Sequence, residues 1–288
     1  LKWNKLTPYF LISPAYSLFI VFFILPVILS FQLSFFEWNG FSANKVFIGI
    51  DNYKRILSDL TFWNAMKNTM VYTFSTVPLS LALGLLFALL LSGGIKGTSV
   101  FRAIYFMPMI ISMVAIAVVW NWIYSPNEYG LANAVLHVCG IPMQTWLSDP
   151  KLALVSIIVM GVWKNMGYCM VIMLAGLKSI SPSLYEASSM DGADKWQQFR
   201  TITVPMLMPT TTFLLIVQTV HSFQVFDQIN VMTKGGPVGS TEVIVSYLYK
   251  LGFDQFEMGY ASAVAYVLFV IIVGITLVQR KLLDRNTV

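Results

Sequence analysis

Six stretches of the chain stay apolar for about 20 residues or more, the length that crosses a bilayer core about 30 Å thick. They run over 9–36, 69–91, 103–124, 152–177, 206–232 and 258–279. The first, second, third and sixth contain no charged residue, whereas the fourth holds Lys164 and the fifth holds His221 and Asp227. This pattern predicts an all-α membrane protein of six transmembrane helices, forming a single membrane domain over 1–288. Pro14, Pro26, Pro78 and Pro108 fall inside the runs as expected kink sites, because neighbouring helices re-satisfy the freed backbone groups. Lys2 and Lys5 precede the first run in the manner of a signal peptide. That run exceeds the about 7 to 15 residues of a signal core and no small-residue cleavage pattern follows it, so an uncleaved first span is expected.

Composition agrees with the pattern. Hydrophobic residues make up 57% and charged residues 11% of the 288, with a mean hydropathy of +0.72. An average soluble domain has about 25% charged residues, and this chain lacks the polar surface such a domain needs. The net charge of +5 is scattered rather than gathered into a stripe, which speaks against a nucleic-acid partner. It reads instead as topology. The N-terminus, the second and fourth connecting loops and the C-terminus hold ten Lys and Arg against seven in the other loops, so both termini are expected in the cytoplasm. The loop 37–68, with Trp38, Tyr53 and Trp63, is expected to carry a short amphipathic segment at the outer interface. Cys139 and Cys169 form no CxxC pair, and no metal site is indicated. HExxH, GxSxG and GxxxxGK[ST] are all missing, so an enzyme is disfavoured, and any ATP hydrolysis linked to this chain belongs to another one.

The fourth loop, 178–205, differs from the rest. Ser183 and Glu186 have the spacing of a capping box, which predicts a helix start there. Asp191 and Gly192 supply a stop. A second helical stretch from Asp194 to Thr201 is expected to follow, capped by Asp194, with Pro205 marking the start of the next span. Ala187, Ser188, Ser189 and Ala193 are small enough to let another protein's backbone come close.

Glu186, Ala187, Ser188, then Gly192, then Ile202, Thr203, Val204 and Pro205 resemble the EAA motif of bacterial ABC-importer permeases, E-A-A-x3-G-x9-I-x-L-P. Every spacing matches, with Ser188 in place of the second Ala and Val204 in place of Leu. The segments 101–110, 175–187 and 232–241 are similar to the maltose-type carbohydrate-uptake permeases, the last more typical of the first permease of an unlike pair. The resemblance implies a type I importer architecture in a bacterial cytoplasmic membrane. It also implies a second permease, two ATPase subunits that bind ATP and Mg, an extracytoplasmic solute-binding protein, and a sugar or related polar solute. Glu186, Ala187, Ser188, Asp191, Gly192 and Ala193 would then seat in the ATPase and pass on its movement. No cofactor is expected on this chain.

Ionisable groups inside a membrane are functional candidates because they are costly there. At 100° per residue, Gln218, His221, Gln224, Asp227 and Gln228 make one half of the fifth span polar and reach the midplane. They suit either a solute pathway or a polar seam between helices. Lys164 lies too deep to snorkel; it could pair with Asp227, line the pathway or cap carbonyls. Trp120, Trp122, Tyr124, Tyr247 and Tyr249 are expected as interfacial anchors rather than ligands. The rival function is a stand-alone secondary transporter or channel for a polar solute.

Overall fold

The computed structural model describes residues 7–93 and 97–284. Helix α1 (Thr7–Phe19) passes through a π-helical stretch, Ile20–Ile24, into α2 (Leu25–Leu33), with Pro26 at its first turn. The first apolar run thus ends at Leu33 rather than 36, because Phe36–Glu37 (β1) pairs antiparallel with Val46–Phe47 (β2), Phe36 opposite Phe47. A short helix, α3 (Asp51–Ser58), follows in the expected amphipathic segment. Helix α4 (Leu60–Ser92) then starts nine residues before the expected second span and takes Trp63 with it.

The third span is two helices. Helices α5 (Thr98–Ile110) and α6 (Met113–Ile123) are bent by 101° at Ile111–Ser112, whose backbones are extended, whereas a single kinked helix over 103–124 was expected. Helix α7 (Leu131–Val138) leads to α8 (Ala153–Ser179), the fourth span. The hairpin helices α9 (Pro182–Met190) and α10 (Lys195–Gln198) come next. A π-helical stretch, Phe199–Thr203, carries the chain without interruption into α11 (Val204–Phe223), so Pro205 lies inside a continuous helix instead of opening one. Helices α12 (Asp227–Met232), α13 (Ile244–Tyr249) and α14 (Met258–Asp284) complete the chain. By length and apolarity the described helices supply five candidate spans, or six when the bent pair counts as one.

The chain folds as two compact units. One takes Leu1–Leu60 and Tyr247–Val270. In it, Asn52 Nδ2 donates to the carbonyls of Ser34 (2.8 Å) and Phe36 (3.1 Å), fixing α3 against the turn out of α2. Asp59 accepts from the hydroxyls of Tyr247 (2.5 Å) and Tyr260 (2.6 Å), and Arg55 pairs with Glu257 (2.7 Å) while lying over the Tyr260 ring. Burial, the largest single influence, lowers the pKa of Arg55, but Glu257 together with Tyr260 and Tyr247 makes the net direction up; burial first, then Asp59, pushes the Tyr247 phenol above its ordinary range. Tyr247 is therefore a buried donor rather than an interfacial anchor, while Tyr249 is exposed.

The other unit takes Thr61–Ser246 and Ile271–Val288, with α8 packed against α5 and α11. Gly167 of α8 permits the approach of α5: a Cβ there would lie 1.8 Å from the Tyr105 carbonyl oxygen. Small residues bring backbones together in this way where lipid offers no hydrophobic contrast. Residues of α8 contribute to two buried apolar clusters, one with Tyr72, Ile116 and Ile229 and one with Val77, Ala88 and Leu214. Tyr124 is buried and donates to the Ser156 carbonyl at 3.0 Å, so it too is a core residue; Trp122 is exposed, and Trp120 packs edge-on against Trp163.

Candidate functional site

The fifth span breaks at Gln224–Phe226, where α11 ends and α12 begins. Gln224 leaves helical geometry at φ −97°, ψ 17°, and Phe226 sits at φ −145°, ψ −60°. Angular positions counted along one continuous helix therefore do not carry from Gln218 to Asp227. The side chains converge nonetheless. Gln218, His221, Gln224, Asp227 and Gln228 all line one cavity of about 390 Å³, and Lys164 of α8 lines it as well. That volume lies within the range of small-ligand sites, roughly 300–1,000 Å³.

The six residues are held differently. Gln228 Nε2 donates to the Tyr72 hydroxyl at 2.9 Å, and Gln218 Nε2 donates to the Cys169 sulfur at 3.6 Å, so these two buried amides are tied into the helix packing. His221, Gln224 and Asp227 are exposed. Lys164 is buried, and its ammonium donates to the Ile111 carbonyl at 3.1 Å. Among the described residues it forms no ion pair with Asp227. Of the three roles open to Lys164, capping is thus the one the hydrogen bonding realises, while the side chain also faces the cavity. The physical reason is the bend in the third span. A helix end leaves carbonyls without intrahelical donors, and a cation at the C-terminus meets the negative end of the helix dipole.

The sequence reading missed Tyr72, Asn165, Tyr168 and Ser222, which line the same cavity. Only Asn165, next to Lys164, carried a usable signal. The hydroxyls sit in spans that look unremarkable when only charges are scanned.

The hairpin supplies the second constellation. Ser181, not Ser183, is the N-cap of α9, and no side-chain capping bond forms; the Ser183–Glu186 box is absent because Pro182 takes the first helical position that its fixed φ favours. Asp191 ends α9, and Gly192 turns the chain at φ +82°, a left-handed conformation that costs glycine little. The capping box is instead at Asp194 and Gln197: Gln197 N–H donates to Asp194 Oδ1 at 2.7 Å, and Asp194 N–H donates to Gln197 Oε1 at 2.8 Å. Gln198, unremarked in the sequence, clamps the two helices by donating to the Tyr185 carbonyl (3.3 Å) and the hydroxyls of Ser188 (3.1 Å) and Ser189 (2.8 Å). Tyr185 in turn bonds Thr203 at 2.9 Å. Glu186, Ala187, Asp191 and Gly192 are exposed and Ser188 and Ala193 half-buried, beside exposed Met190 and Trp196.

Long apolar helices, polar groups gathered around one cavity and a clamped, exposed hairpin define a multi-span transport protein of the membrane. The chain belongs to the family of binding-protein-dependent transport system inner membrane components, whose family model matches residues 80–287. It is 36% identical to the probable ABC transporter permease protein YurN of Bacillus subtilis, over 96% of both chains. It is also 36% identical to the trehalose/maltose transport system permease protein MalF of Thermococcus litoralis, over 95% of this chain and 92% of that one. The sn-glycerol-3-phosphate transport system permease protein UgpA of Agrobacterium fabrum is 32% identical, over 98% and 96%. Among solved structures, a chain of a bacterial alginate ABC transporter, determined in complex with an alginate pentasaccharide-bound periplasmic protein, matches with a TM-score of 0.86. It is 25% identical over 99% of this chain and 98% of that one. The fold is accordingly that of a type I ABC-importer permease.

Proposed function

We propose that this permease forms one half of the pathway by which a sugar or closely related polar solute is imported, with the other half supplied by a second permease. The observation that carries the reading is the 390 Å³ cavity, where amide, imidazole, carboxylate, ammonium and phenol groups converge within otherwise apolar helices. Such groups are costly in a membrane unless they serve a pathway, and transporter sites lie where spans are discontinuous. The names of the relatives, which include trehalose, maltose and arabinooligosaccharide permeases, support a saccharide.

In this reading both termini and the hairpin face the cytoplasm of a bacterial cell, and Glu186, Ala187, Ser188, Asp191, Gly192 and Ala193 seat in one of two ATPase subunits, which bind ATP and Mg. An extracytoplasmic binding protein delivers the solute from the other side. Closure of the ATPases then moves the permeases between inward- and outward-open arrangements. The test is reconstitution of the chain with its second permease, ATPase and binding protein, followed by uptake of labelled oligosaccharides. Uptake is expected only with all components and ATP. Gradient-driven uptake by the chain alone would instead make it a secondary transporter, and an unchanged ATPase response in Glu186→Lys would remove the hairpin from coupling.

A further inference from the structure

We infer that Lys164 and Asp227 act as a separated charge pair that selects a net-neutral polyhydroxylated solute over phosphorylated, uronic or amine-bearing ones. The inference rests on the reading of the cavity as a solute site and narrows the class of solute it takes. It begins from two groups whose hydrogen-bonding capacity is left over. The Lys164 ammonium carries three donors, of which one is used, on the Ile111 carbonyl, although the side chain is buried. The Asp227 carboxylate makes no hydrogen bond or ion pair among the described residues and is exposed. Both line the same cavity, one from α8 and one from the start of α12.

Two opposite charges that line one cavity without a direct ion pair can be bridged by a group that satisfies both. A hydroxyl does so, since it accepts from an ammonium and donates to a carboxylate. A run of hydroxyls does so repeatedly, and the Gln224 amide adds both a donor and an acceptor at the same wall. A phosphate or uronate would pair with Lys164 but meet Asp227 as a like charge; an amino sugar would meet the reverse. With one ammonium, one carboxylate and His221 counted neutral, the formal charge of the lining is zero, so neither sign of solute gains overall. Like-charge contact discriminates between solutes, because each wrong solute leaves one charge unanswered.

The test uses the complete complex in lipid nanodiscs without its binding protein, so that only the membrane site reports. Saturation-transfer NMR compares maltotriose, trigalacturonate, chitotriosan (the triamine of glucosamine) and sn-glycerol 3-phosphate. Wild type is expected to favour maltotriose at least tenfold over each charged probe. Asp227→Asn should raise the trigalacturonate-to-maltotriose ratio at least tenfold, and Lys164→Gln should raise the chitotriosan-to-maltotriose ratio likewise. Equal binding of a charged probe by wild type overturns the proposal without need of any variant. Maltotriose binding with ratios unmoved in Asp227→Asn overturns it while leaving the cavity as the solute site. Binding of no probe overturns the cavity reading and this proposal with it.

Discussion

Gly167→Ala is the sharpest perturbation of the bundle. A Cβ at this position would lie 1.8 Å from the Tyr105 carbonyl oxygen and 2.7 Å from its carbon, against a floor of 3.0 Å for real contacts, so α5 and α8 must separate by about 1.2 Å. The obstacle is backbone, which no rotamer change relieves. Overpacking of this kind costs about 1–3 kcal/mol. The same displacement strains the Lys164 to Ile111 bond, 3.1 Å long and six residues along α5 from Tyr105; losing a hydrogen bond to a charged group adds about 1.5–3 kcal/mol. A loss of at least about 2.5 kcal/mol is expected, which lowers the melting temperature by about 5 °C or more for a chain of this size. Cys169 makes the assay specific. It is fully buried while Cys139 is exposed, so in a Cys139→Ser background with cysteine-free partner subunits a thiol-reactive fluorophore reports the opening of the helix packing around α8. Gly274→Ala, where a Cβ meets nothing within 4 Å, is the control and should not change the transition. If Gly167→Ala melted within a degree of that control, the close approach of α5 to α8 would be wrong.

The hairpin and the first unit give three further expectations. Gln198→Ala removes three bonds between α10 and α9 and should cut solute-stimulated ATP hydrolysis several-fold while subunit assembly, followed by gel filtration, persists. Asp194→Ala removes one side of the capping box, with a cost of about 1 kcal/mol, and should speed amide hydrogen exchange over 195–203 while leaving α9 unaffected. Asp59→Leu removes the acceptor shared by the Tyr247 and Tyr260 hydroxyls and leaves them only each other; a loss of about 2–3 kcal/mol is expected in the melting assay, and Tyr247→Phe in the same background should recover part of it.

Bilayer-length apolar helices were legible because an apolar run of that length admits few structures in lipid. Thus 152–177 appears as Ala153–Ser179 and 258–279 as Met258–Asp284. Helix ends moved where a local partner outside the run decided them: Leu33 ends α2 because β1 pairs with β2, and α4 begins at Leu60, directly after Asp59 joins Tyr247 and Tyr260. The hairpin was half legible. Its glycine stop and the Asp194 cap are strong local signals, whereas the clamp through Gln198 depends on how two helices meet and leaves no mark in spacing. Residues 224–226 contain neither Gly nor Pro, so nothing local announced the break in the fifth span.

The bend in the third span and the break in the fifth have a common physical cause. Irregular backbone at membrane depth is tolerated only where it is buried in protein or lines a polar cavity, since its amides and carbonyls otherwise go unpaired. Met109 and Met113, flanking the Ile111–Ser112 bend, line the same cavity as Gln224, Val225 and Phe226 of the other break. Lys164 joins the two features, with its ammonium on the Ile111 carbonyl and its side chain on the cavity wall. Lys164, which looks costly in an apolar sequence, therefore helps make the bent backbone of the third span tolerable. A lysine there cannot be replaced by a well-packed apolar residue without leaving the Ile111 carbonyl, at the end of α5, unanswered; that ties the shape of the third span to the chemistry of the site.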